Sequence, residues 1–221
     1  MSYRTILAVI NEHTGSTVSA RYAMALALSG GSELVLYCAH GEGSLGMAVR
    51  HTDRHMDHLF EDALALGIAV TRVTETGTIT RLLPQRAQAE GADLVFYPLT
   101  PEERYGSALQ RQTAHHLLRT IRADLAVMRI MHMGKPHPHR ILVPVSGVVS
   151  DREQRVRFVA ALAKGFHSQV TLFHRPEIGK NDLPDDFVVM RNELRLRHLP
   201  VLERSGSGHI ARAIALEAVS H

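Results

Sequence analysis

The chain has no tryptophan and one cysteine, Cys38, in 221 residues. A disulfide framework is therefore excluded, and a lone thiol inside the apolar run Leu34 to Ala39 reads as packing. Aromatic residues make up only 5% of the sequence, too few for the stacking platforms that hold single-stranded nucleic acid. Lysine and arginine total 25 against 22 acidic residues, and neither sign forms a long run. A net charge of +3 dispersed in this way is no basic footprint, so nucleic acid is not an expected partner. No apolar stretch approaches the roughly 18 residues of a membrane span. The N-terminus starts on a strand-like run, without the charged and apolar regions of a secretion signal. A cytoplasmic protein with no membrane partner is expected. No Ser/His/Asp set or acid/base couple of carboxylates stands out, so catalysis is not expected either.

What the chain does have is a repeat. Arg4-Thr5-Ile6-Leu7-Ala8-Val9-Ile10 returns as Arg140-Ile141-Leu142-Val143-Pro144-Val145. Arg21-Tyr22-Ala23-Met24-Ala25-Leu26-Ala27 returns as Arg157-Phe158-Val159-Ala160-Ala161-Leu162-Ala163, and Ser32-Glu33-Leu34-Val35-Leu36-Tyr37 as Ser168-Gln169-Val170-Thr171-Leu172-Phe173. The copies lie about 135 residues apart, the size of a domain and far beyond a solenoid period. Hydrophobic residues at 45% suffice for real cores. The other excess is 15 histidines, which make the net charge strongly pH-dependent near neutrality.

Periodicity predicts alternating strands and helices. Strands are expected at Ile6–Ile10, Glu33–Ala39, Ile68–Thr74, Asp93–Tyr97 and Leu125–Ile130. Helices are expected from a Ser16 or Thr17 cap to Gly30-Gly31, then at Met47–Leu66, Thr78–Glu90 and Ala108–Arg122. Met131 to His139, with Gly134, Pro136 and Pro138, reads as a linker. The second copy repeats strand Arg140–Val145, helix Ser150–Lys164, strand Gln169–His174, helix Asp185–Arg197, strand Leu199–Glu203 and helix His209–Val219. Such alternation means an α/β fold, an open parallel sheet with helices on both faces. The domains are 1–130 and 140–221, joined by 131–139. Aligned on the first, the second lacks its fourth and fifth strands. An apolar strand edge at Ile141–Val145 favours a natural chain that continues past residue 221 by about half a domain, the alternative being cover by another subunit.

Several signatures go together: a polar residue ending the first strand, Gly77 after the third strand, Ala89-Glu90-Gly91-Ala92-Asp93-Leu94-Val95 into the fourth, and Leu117-Leu118-Arg119 before the last. In these and in element order the chain resembles the universal stress protein family, over essentially its whole length. The resemblance implies a five-stranded sheet in order 3-2-1-4-5 and assembly as a dimer or tandem pseudo-dimer. It also implies where ATP would bind, since members that hold ATP carry Gly-x2-Gly-x9-Gly-Ser/Thr after the fourth strand. Glycines let the backbone approach phosphates, and amides at a helix start cradle the charge. The matching positions here are Pro98, Pro101, Arg111 and Gln112, so every glycine is replaced, and two replacements are prolines with no amide hydrogen. The family's acidic residue after the first strand is Asn11, and Ser146 in the second copy. The resemblance therefore implies a non-catalytic binding or regulatory protein of stress adaptation, with an unidentified protein partner and no ATP bound in the family manner. The alternative is an atypical nucleotide site with slow ATP hydrolysis, built from Asn11, Gly41, Gly43, Gly77, Gly106, Arg111 and Gln112.

Gly41-Glu42-Gly43-Ser44-Leu45-Gly46 matches Gly-x-Gly-x-x-Gly, yet it follows the second strand and lacks an acidic strand end about 20 residues on; it reads as a connecting loop. His51, His55 and His58 share one helical stripe with Asp62, beside the apolar stripe of Val49, Met56, Leu59, Phe60 and Ala63. Imidazoles at i, i+3 and i, i+4 can chelate zinc, nickel or copper, which makes a metal-responsive binder the third reading; a solvated face is the plainer one. His132, His137 and His139 with Met131 and Met133 form a second cluster, read as a polar hinge. Of His115 and His116, one is expected to point inward and one outward. The apolar strand Leu125–Ile130 is expected to be the edge through which a homodimer pairs.

Overall fold

A computed structural model describes residues 3–44, 46–99, 107–130, 137–145, 149–176, 183–207 and 209–219. The chain divides into two compact units, Met1–Pro136 and His137–His221. The first contains β1 (Thr5–Val9), α1 (Thr14–Gly30), β2 (Glu33–His40), α2 (Gly46–Ala65), β3 (Val70–Thr76), α3 (Ile79–Ala89), β4 (Leu94–Leu99), α4 (Ser107–Thr120) and β5 (Asp124–Arg129). All neighbouring strands are parallel, in the order β3-β2-β1-β4-β5. This is the expected α/β architecture and strand order.

Side-chain alternation sorts the sheet into two faces. Leu7, Val9, Val35, Tyr37 and Val95 pack with Leu83 and Ala87 of α3, Leu117 of α4 and Ile121 just after it. Ile6, Ala8, Leu34, Leu36 and Cys38 are buried too, and alternation places them on the opposite face, where α1 and α2 pack side by side.

The second unit contains β6 (Arg140–Val145), α5 (Arg152–Phe166), β7 (Gln169–His174), α6 (Asp185–Leu196), β8 (Val201–Ser205) and α7 (Ile210–Val219). Its described strands form a parallel sheet in the order β6-β7-β8, the same adjacency as β1-β2-β3. Val156, Val159, Ala160 and Ala163 of α5 and Phe187, Met190 and Leu194 of α6 cover Val145, Val170 and Leu172.

Helix ends explain where element bounds depart from expectation. Gly31 and Gly67 adopt left-handed backbone at φ 65° and 75°, and His167 and His198 do the same at φ 52° and 59°. The next amide in each case reaches back five residues: Ser32 to Ala27, Ile68 to Ala63, Ser168 to Ala163 and Leu199 to Leu194. That 6→1 bond closes the helix, and at Ile68 and Leu199 the donor is the apolar residue that commonly accompanies it. Ile68 and Leu199 thus complete helix stops, so β3 and β8 begin two residues later than the apolar runs suggest. At the start of α1 the N-cap is His13, without a side-chain cap bond, rather than Ser16 or Thr17. Ser16 is fully buried one turn inside, and its hydroxyl lies 2.8 Å from His13 O. His115 and His116 are both exposed, because Ala114 and Leu117 supply the buried face of α4.

Candidate functional site

In the order β3-β2-β1-β4-β5 the connections diverge between β1 and β4, and ligands of open α/β sheets bind beyond the carboxyl ends of strands at such a point. Asn11 stands there, just past β1. Its amide donates to Ser16 Oγ at 3.2 Å, its Oδ1 accepts His13 N–H at 3.0 Å, and its carbonyl accepts from His55 Nδ1 at 3.0 Å. The Oδ1 bond is an Asx turn that shapes the loop into α1. An acceptor carbonyl requires that His55 carry its hydrogen on Nδ1. The structure therefore joins Asn11 and His55, which belonged to separate expectations.

The remaining positions are spread along the same end of the sheet. Gly41 and Gly43 lie on an exposed loop closed by Ser44, whose amide and hydroxyl both reach Gly41 O, at 3.0 and 2.9 Å. Gly77 is buried, with its N–H on His40 O at 2.8 Å. Its φ of 139° and a Leu82 methyl 3.1 Å from where a Cβ would stand restrict the position to glycine. Pro98 lies inside β4, buried, in register with Met128 of β5. Arg111 and Gln112 sit on the exposed side of α4. Pro101, Gly106, Met131, His132, Met133 and Ser146 lie outside the described residues.

On α2, His51, His58 and Asp62 are exposed, while His55 is half-buried against Asn11. Among the described residues no group of three or more His, Cys, Asp or Glu side chains could hold a metal ion.

Three clusters were not legible as sites in the sequence. In the first, Tyr37 OH donates to Glu75 Oε2 at 2.8 Å, and Arg86 pairs with both Glu75 and Glu90. Arg86, then the Tyr37 hydroxyl, holds the Glu75 carboxyl below its ordinary range. Burial, then Glu75, pushes the Tyr37 phenol up. In the second, Cys38 Sγ lies 3.7 Å from His40 Nε2 and 3.4 Å from Thr74 Oγ1, and burial pushes the thiol up. Period-2 alternation is the signal that could have paired Cys38 with His40. In the third, Asp186 of α6 accepts Val149 N–H at 2.6 Å and pairs with Arg152 at 2.5 Å. The amide, then Arg152, holds this carboxyl below its usual range. It borders a cavity of about 720 Å³ that Asp151, Glu193 and Arg197 also line. Tertiary pairings that sequence separation hides create the first and third and bring Thr74 to the second.

No family model matches the sequence, and no curated protein matches it. Solved structures do. A functionally unknown protein from Pseudomonas aeruginosa PAO1 aligns at TM-score 0.65 and 14% identity, over 99% of this chain and 79% of that one. A putative universal stress protein from Pseudomonas aeruginosa UCBPP-PA14 aligns at TM-score 0.62 and 14% identity, over 99% and 80%. A universal stress protein from Archaeoglobus fulgidus DSM 4304 aligns at TM-score 0.61 and 14% identity, over 98% and 82%. The chain thus shares its fold with universal stress proteins.

Proposed function

We propose that this chain is a tandem universal-stress-type protein that acts by binding a protein partner rather than by catalysis, and that its first unit holds no ATP in the manner of a glycine loop. Pro98 carries the reading. It stands where the first phosphate-cradling glycine is expected, it has no N–H, and it is buried within β4 in register with Met128. Asn11 adds to it: at the position of an acidic residue, its amide, Oδ1 and carbonyl are all engaged in holding its own loop. Pairing of two copies along β5, whose side chains are mostly half-exposed, belongs to the same reading.

Calorimetry on the full chain tests it. Titration with ATP and magnesium is expected to give no saturable heat at micromolar nucleotide. Binding of one ATP per chain with micromolar affinity overturns the proposal and favours the atypical nucleotide site. Sedimentation at tens of micromolar is expected to show a dimer; a strict monomer removes the assembly part.

A further inference from the structure

We draw no further inference here: the strongest candidate, the half-buried apolar face that Leu142 of β6 and Ile214 of α7 present on the second unit, carries none, because nothing in the structure shows what covers it.

Discussion

His55 on α2 donates from Nδ1 to the main-chain oxygen of Asn11, 3.0 Å away, and ties the loop after β1 to the neighbouring helix. Asp186 does the corresponding work in the second unit, accepting Val149 N–H at 2.6 Å. Each stands one residue before a buried triplet of its helix, Met56, Leu59 and Ala63 in one, Phe187, Met190 and Leu194 in the other. The same place in two similar frames thus carries opposite hydrogen-bonding polarity, a donor to a carbonyl and an acceptor of an amide.

Replacing His55 by alanine removes one of the two side-chain donors to Asn11 O, the Ser16 hydroxyl at 3.1 Å being the other, and should destabilise the chain by about 0.5–1 kcal/mol in urea denaturation. Nitrogen NMR of the parent should show the Nδ1-protonated tautomer at His55. A Nε2-protonated ring there would contradict the bond.

Glu75 sets an acid limit. Its carboxyl is held below the ordinary 4.5, chiefly by Arg86, so folding favours the ionised form. The stability it contributes is complete above pH 4.5 and is lost as pH falls through the lowered native value. Glu75→Gln should cost about 1.5–3 kcal/mol at pH 7, the range for hydrogen bonds to charged groups. The gap between parent and variant should narrow below pH 4.5 in guanidinium melts. A gap that stays constant to pH 2 would refute the assignment.

The two helix stops of the second unit use histidine where those of the first use glycine. His167 and His198 hold φ 52° and 59° with exposed side chains, against 65° and 75° at Gly31 and Gly67. Left-handed backbone costs a non-glycine residue about 1–2 kcal/mol, partly offset by the greater unfolded-state entropy of glycine. His198→Gly should therefore raise stability by roughly 0.5 kcal/mol, and Gly67→Ala should lower it by about 1 kcal/mol, both read as midpoint shifts.

Gly206 is constrained by contact instead. A Cβ there would stand 2.5 Å from Phe173 Cζ and 3.0 Å from Cε2. Phe173 is fully buried and cannot swing aside. Gly206→Ala should cost about 1–3 kcal/mol, the range of an overpacked core, and Phe173→Leu in the same chain should recover part of it.

Much of the fold was legible because it rests on local pattern. Apolar runs marked β1, β2, β4, β6 and β7, and glycines marked where α1, α2 and α3 stop. The bounds of β3 and β8 were not legible, because Ile68 and Leu199 look like strand residues until their amides are seen closing the preceding helices. Site residues were less legible. The stripe of His51, His55 and His58 follows from helical spacing, but that His55 alone turns inward depends on Asn11, 44 residues away.

By itself the sequence determined the alternation of elements and the parallel sheet, since both are written in residues close along the chain. Only the tertiary structure decided which polar groups meet. It brought His55 to Asn11, Asp53 to His40, Arg86 to Glu75 and Asp186 to Val149, because strand register and helix packing set those encounters across separations that no local pattern encodes.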